Sequence, residues 1–289
     1  MSRLSLSGGC LVLVSTPLGN LGDLSPRAVT TLQGCALICC EDTRHSGKLL
    51  AHAGVAGVRL AVANEHTEHD RTAEVLRVLA EGHDVGVVTD AGTPGISDPG
   101  MRLVRAAIDA GFAVSAVPGP AALVMALVVS GLDTTRFAFE GFLPRSGSER
   151  TERIAEVAAE RRTVVLYEAP HRIERTITDL RDACGGTRRV ALARELTKLH
   201  EDVWRGTLDD AVGHLAGNRA RGEYAVVLEG APAPAPADDD AIMAALRDEL
   251  DSGADRRTAI ASVMSSTGAS KRRVYDLALT LPRPGADTA

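Results

Sequence analysis

The sequence predicts an α/β protein of two dissimilar lobes followed by a small helical C-terminal domain. Three observations predict it. Short β-branched runs alternate with amphipathic stretches through the first half, a second series of strands begins beyond Pro118-Gly119-Pro120, and an alternating Ala/Pro stretch at 231–237 cuts off a helical tail. The expected divisions are an N-terminal lobe at 1–118, a C-terminal lobe at 119–230, a linker at 231–237 and a small helical domain at 238–289.

In the first lobe the runs 11–15, 36–40, 59–62, 85–89 and 114–117 have strand composition. Ser25-Pro26 opens one helix with proline at its first position, and Asp98-Pro99 is expected to open another, with Gly111 just past its last turn. The apolar stretch 121–129 reads as a buried helix ending at Ser130-Gly131. Strands are then expected at 137–141, 163–167, 190–194, 203–207 and 224–229, with helices at 150–161 and 171–184. The last strands lie too close together for helical crossovers, so this lobe is expected to be mixed or antiparallel there. Ala/Pro alternation makes a stiff, extended linker. Beyond it, 255–264 and 271–281 have the proportions of two helices joined by a turn containing Gly268. Lys271, Arg272 and Arg273 open the second helix, and either a nucleic-acid contact or a solvated basic turn accounts for them.

With 289 residues, 45% of them hydrophobic and 24% charged, the chain is long enough to bury a core. A net charge of −6 excludes attachment to nucleic acid or membrane by bulk electrostatics, so an RNA partner needs a local basic surface. The cysteines (Cys10, Cys35, Cys39, Cys40 and Cys184) are odd in number and form no C-x-x-C pair, which argues against a disulfide framework or zinc cluster and points to a reducing, cytoplasmic location. The apolar run 10–14 is short for a secretory signal, and Pro118-Gly119-Pro120 breaks the uncharged stretch 110–132, so neither export nor a membrane span is expected. No metal-ligand set is expected either: the histidines are scattered, and His66 with His69 has no further ligands in sequence.

The densest chemical signal is Thr89-Asp90-Ala91-Gly92-Thr93-Pro94-Gly95-Ile96-Ser97-Asp98-Pro99-Gly100. Its glycines, prolines and aspartates make a rigid loop with exposed amides at a strand end, suited to gripping a small polar ligand. Thr16-Pro17-Leu18-Gly19-Asn20-Leu21-Gly22-Asp23 follows the first strand, where open α/β sheets place ligand loops, but it is neither G-x-G-x-x-G nor a phosphate loop. Pro118-Gly119-Pro120-Ala121 makes a third such loop, and all three are expected to line a cleft between the lobes. Glu41-Asp42-Thr43-Arg44, Tyr167 to Arg172, and Arg194 to Glu201 set charged groups at strand ends, where capping or ion pairing competes with ligand contact.

Taken in order, these segments, with Gly222-Glu223-Tyr224, resemble the tetrapyrrole methylase family of S-adenosylmethionine (SAM) methyltransferases over roughly residues 10–230. The members that act on tetrapyrroles have a G-x-G-x-G-D first loop and Gly-Asp-Pro in the second. Here Leu18 and Asn20-Leu21 interrupt the first, and Gly92-Thr93-Pro94 stands in the second, so the resemblance leans toward the branch that modifies ribosomal RNA.

That resemblance implies two α/β lobes of the tetrapyrrole methylase type with SAM in the interlobe cleft. It implies a homodimer acting on 16S rRNA in the 30S subunit, methylating the 2′-hydroxyl of the decoding-centre cytidine 1402. By residue-wise analogy SAM contacts Asp90, Gly92, Thr93, Pro94, Gly95, Ile96, Ala121, Ala122, Ala169, Pro170, Tyr224 and Ala225. Pro17, Gly19, Asn20, Arg44, Arg145, His171, Arg172 and Arg194 are the residues expected to meet RNA, the stretch 144–206 carrying a slight excess of basic side chains. Methyl transfer to a hydroxyl needs in-line positioning and a group that takes or stabilises the hydroxyl proton's charge; Glu41, Asp42, Glu195 and Lys198 are the candidates. Two other readings stay open, a uroporphyrinogen or precorrin methyltransferase of the same fold and a non-catalytic RNA-binding assembly factor.

Overall fold

The computed structural model describes residues 8–64, 67–217, 220–233 and 237–281, so His66 and residues 234–236 of the Ala/Pro stretch lie outside the described residues. The chain divides into two compact units, Met1–Ala231 and Pro232–Ala289.

The first unit begins with β1 (Cys10–Val14), α1 (Pro26–Gly34), β2 (Leu37–Cys40), α2 (Thr43–His52), β3 (Arg59–Val62), α3 (Glu68–Ala80), β4 (Val85–Val87), α4 (Met101–Asp109) and β5 (Ala113–Val117). Its strands form a wholly parallel sheet in the order β3-β2-β4-β1-β5. Such a sheet must be covered on both faces, and side-chain alternation shows how. Leu11, Leu37, Cys39, Val85 and Val87 pack with Val75, Leu79 and Leu103 of α3 and α4. Val12, Val14, Ile38 and Cys40 face the other way, onto Leu32 of α1 and Leu50 of α2. Burial holds the Cys35 thiol up at about 11 and Cys39 at about 12, so both are packing groups rather than nucleophiles.

The next elements are α5 (Ala122–Ser130), β6 (Phe137–Phe142), α6 (Gly147–Ala159), β7 (Thr163–Glu168), α7 (Ile173–Cys184), β8 (Arg189–Arg194), β9 (Asp202–Thr207), α8 (Leu208–Gly217) and β10 (Tyr224–Leu228). Here the sheet is mixed, in the order β6-β7-β10-β8-β9, with β6 and β7 parallel and the remaining pairs antiparallel. One face carries large side chains (Val164, Leu166, Leu192, Val226) packed on α6, α7 and α8. The other carries Ala191, Ala193 and Ala225, whose small side chains admit α5 through Leu123, Ala126 and Leu127. Apolar almost throughout, α5 has its N-terminal amide, Leu123 N–H, capped by the Tyr167 hydroxyl at 2.9 Å.

One helix start departs from expectation. Asp98 does not cap α4: the chain continues through Gly100 at φ 132°, a backbone glycine alone adopts readily, and the helix begins at Met101. The orphan amides of Gly100, Arg102 and Leu103 all donate to Oε1 of buried Glu68, at 3.0, 3.0 and 3.1 Å.

The second unit holds α9 (Asp239–Asp251), α10 (Arg256–Thr267) and α11 (Lys271–Thr280). Asp238, Asp255 and Ser270 cap their N-termini, and Gly268 takes the left-handed conformation (φ 65°) that ends α10. Ile242, Leu246, Ile260, Val263 and Val274 form its core.

Candidate functional site

Three first-lobe loops are bonded to one another at the carboxyl ends of their strands. Thr16, after β1, exchanges backbone hydrogen bonds with Gly92 at 2.8 and 3.1 Å, and its hydroxyl donates to the Thr89 carbonyl at 3.1 Å. Ser15 and Thr93 hydroxyls lie 3.1 Å apart, and Thr93 donates to the Pro120 carbonyl at 2.9 Å. Glycine is required at two of the crossings. Gly92 sits at φ 88°, where a Cβ would also come within 3.1 Å of Leu18, and a Cβ on Gly119 would meet that of Ser15 at 2.8 Å.

Against these loops stands a cavity of about 560 Å³, closed on the second-lobe side by the ends of β7, β8 and the start of β10. Its wall includes Leu18, Glu41, the run Thr89 to Thr93, Ile96, Ser97, Asp98, Ala121 and Ala122, then Phe142, Tyr167 to His171, Ala193, Glu195, Leu196, Lys198, Glu223, Tyr224 and Ala225. Carboxylates dominate its polar lining. Glu41 accepts a hydrogen bond from the Thr89 hydroxyl and another from Asp90 N–H at 3.1 Å. Beside it, Asp90 is held above the usual carboxylate range by burial and by the charge of Glu41, and its Oδ1 is buried with no hydrogen-bond partner among the described residues. Burial, then the charge of Glu41, pushes Asp98 up to about 7.

The cation of the wall is Lys198. Its Nζ lies 2.9 Å from Glu195 and 3.0 Å from Glu223, while Glu223 N–H donates to Glu195 at 3.1 Å. Burial works to lower the Lys198 pKa, but the two carboxylates outweigh it and keep the ammonium charged. The turn that delivers this group is left-handed at Glu195 (φ 50°) and Thr197 (φ 68°). Gly19 of the first loop lies against it, a Cβ there meeting Lys198 Cγ at 2.3 Å.

Among the candidate bases, Glu41, Glu195 and Lys198 line the cavity, whereas Asp42 is outside its lining and caps α2, with Arg44 holding its carboxyl down at about 2. Of the expected cofactor contacts, Pro94 and Gly95 are not lining residues; Gly95 N–H instead bonds the Pro99 carbonyl at 3.0 Å and closes the loop. The expected RNA contacts scatter. His171 is on the wall, Asn20 caps a short 3-10 turn at Leu21–Asp23, and Arg44 is paired with Asp42 on the surface. Arg172 is drawn inward to buried Glu168 (3.1 Å) and the Leu143 carbonyl (2.5 Å), and Pro17 is buried. Arg145 is exposed and Arg194 half-buried at the end of β8. Sequence reasoning passed over Thr89, Asp98 and Glu223 as site residues; the first two sit inside the loop it singled out, and Glu223 adjoins Tyr224.

Residues 10–212 match the family model for tetrapyrrole (corrin/porphyrin) methylases. A Synechocystis protein named ribosomal RNA small subunit methyltransferase I is 45% identical over 282 residues, covering 96% of this chain and all of that protein. The chain belongs to the tetrapyrrole methylase family, in its ribosomal RNA small subunit methyltransferase I branch. Proteins of the same name from Xylella fastidiosa (strain Temecula1; 48% identity, 77% of this chain and 82% of that one) and Mycobacterium tuberculosis (strain H37Rv; 41%, 95% and 96%) are similar to it too. Solved tetrapyrrole methylases share the fold. The methyltransferase CobJ superposes with a TM-score of 0.59 at 22% identity, covering 78% of this chain and 95% of that one. Uroporphyrin-III C-methyltransferase from Thermus thermophilus, complexed with S-adenosyl homocysteine, gives 0.55 at 17% identity, with coverage of 77% and 97%. In this tetrapyrrole methylase the described residues contain no cluster of three or more groups able to hold a metal ion, and no helix among them is long and apolar enough to cross a membrane.

Proposed function

We propose that the chain is a cytoplasmic SAM-dependent methyltransferase that modifies the ribose 2′-hydroxyl of cytidine 1402 in 16S rRNA of the 30S subunit. The observation that carries this reading is the cavity between the interlocked loops and the second-lobe strand ends. Its residues fit the donor. The unpartnered Asp90 Oδ1 is an acceptor for the donor's N–H or O–H groups, and Gly92 leaves open the space a side chain would fill. Ala121, Ala122, Ala193 and Ala225 give a smooth apolar wall, while Glu41 and Glu223 favour a cation. When bound, SAM supplies an electrophilic methyl group on a sulfonium.

This chain's own residues do the rest. The loops fix the reacting atoms in line and keep water out, which supplies most of the rate. Lys198, clamped by Glu195 and Glu223, offers a positive charge to oxygen as it loses its proton. Arg145, exposed, and Arg194, at the end of β8, are the arginines this reading assigns to RNA phosphates. The exposed apolar side chains Val124, Met125 and Val128 of α5 are the kind of surface a second copy of the chain covers in a homodimer.

The test is labelled SAM with 30S subunits from a strain lacking the enzyme, followed by nucleoside mapping. Label in a 2′-O-methylcytidine is expected. SAM binding without transfer, or turnover of uroporphyrinogen in place of subunits, refutes the reading. Charge reversal at Arg145 and Arg194 is expected to weaken subunit binding and flatten its salt dependence.

A further inference from the structure

We propose that Asp98 is the group that takes the proton from the ribose hydroxyl, a role that rests on the methyltransferase reading above. Asp98-Pro99-Gly100 is a helix-start signature, and an aspartate there ordinarily spends its carboxylate on the helix amides. Here that task belongs to Glu68, which takes all three amides on one oxygen from an earlier helix, 32 residues before Gly100 in sequence. Asp98 is thereby released into the cavity wall. The turn that carries it is held firmly. Ser97 takes a left-handed backbone (φ 59°), and Gly141 of the second lobe is so close that a Cβ there would lie 3.1 Å from Ser97 Oγ.

The competing candidates are already engaged. Glu41 is bonded to Thr89 and Asp90, Glu195 to Lys198 and Glu223, and Lys198 is kept charged between two carboxylates. Asp98 stands beside the Thr89 hydroxyl, whose proton goes to Glu41, and feels Glu41 and Asp90 from the first lobe and Glu223 from the second. Tyr167, Glu168, His171, Glu195 and Lys198 complete the titratable groups of the wall facing it. Burial and the nearby carboxylates make it basic enough to accept a proton near neutrality. In the step, the oxygen–hydrogen bond breaks toward the Asp98 carboxylate as the oxygen–carbon bond forms. The sulfur–carbon electron pair leaves with sulfur, and neutral Asp98 then returns its proton to water.

The experiment compares the full chain with D98N, D98E and D90N on 30S subunits. D98N is expected to keep SAM affinity within about threefold by calorimetry while its single-turnover rate falls by about 100-fold, with D98E restoring part of it. D90N is expected to lose SAM affinity instead. The wild-type rate should rise with pH and level off near neutrality, a limb absent from D98N. Carbon-13 spectra of labelled aspartate in the free protein should show one carboxyl titrating near neutrality, which D98N removes. A D98N rate within about threefold of wild type, or a loss of SAM affinity matching that of D90N, overturns the assignment. Wild-type protein that methylates nothing removes the functional reading as well, whereas an active wild type with an active D98N removes Asp98 alone. If D98N does not fold, the wild-type titration and the D98E rate profile decide: no carboxyl titrating near neutrality overturns the assignment.

Discussion

Replacing Glu68 with alanine tests the arrangement on which the loop 89–100 depends. Its Oε1 accepts from Gly100, Arg102 and Leu103, and the first and last of these bonds are buried. A buried amide left without a partner costs about 1–3 kcal/mol, and loss of an anion at a helix N-terminus adds about 0.5–1 kcal/mol. Two such amides and the lost charge give about 2.5–7 kcal/mol for Glu68→Ala. Glu68→Gln keeps an acceptor oxygen and should cost about 1–2 kcal/mol. Urea unfolding followed by circular dichroism gives the change in stability, and native-state hydrogen exchange at Gly100 and Leu103 shows where it falls. Vacant amides also give Asp98 a reason to swing out of the cavity and cap α4, so its carboxyl should return toward the usual range in labelled-aspartate spectra. A loss below about 1 kcal/mol with unchanged exchange at both amides would refute the reasoning.

Other expectations follow from the same geometry. Because Asp98 titrates at about 7 in the folded chain but in the ordinary range when unfolded, its contribution is greatest in acid and is lost as pH rises from about 4 through 7. Discounted for partial exposure, this is about 1–2 kcal/mol, so D98N should gain melting temperature over wild type at about pH 8 and show no such gain at about pH 4. Gly92→Val places a branched side chain at φ 88° beside Leu18, and calorimetry should find SAM binding weakened at least about tenfold. Arg150 is buried, with Asp179 at 2.7 Å and Thr176 at 3.0 Å; Arg150→Met should cost about 3–5 kcal/mol in denaturant unfolding, more than any exposed arginine. Lys198→Met should leave unfolding within about 1 kcal/mol of wild type, since the bridge is partly exposed, while lowering the methylation rate at unchanged SAM affinity.

The strands were readable because β-branched runs end at Gly, Pro and Asp, and 59–62 is recovered to the residue. Helix starts were less so. The second-lobe helix expected at 150–161 runs Gly147–Ala159, since its first turn carries polar residues that periodicity does not distinguish from loop, and the one expected at 171–184 runs Ile173–Cys184. At Asp98 a strong local signature lost to Glu68, a distant carboxylate that proximity in sequence cannot reveal. The first-lobe wall of the cavity was legible in the density of Gly, Pro and Asp between 89 and 100, where core packing has no use for them. The Glu195–Lys198–Glu223 bridge was not, because it joins the ends of separate strands. Nor does sequence tell an arginine free for phosphate from one such as Arg172, spent on an internal carboxylate.

The preponderance of Glu41, Asp90 and Glu223 around a single lysine has a bearing on turnover. On the reading proposed above, the donor enters carrying a sulfonium charge and departs as a neutral thioether. An enclosure of negative sign therefore holds the fresh molecule more tightly than the spent one and assists its ejection, so inhibition by accumulated by-product should deepen when those acids are neutralised.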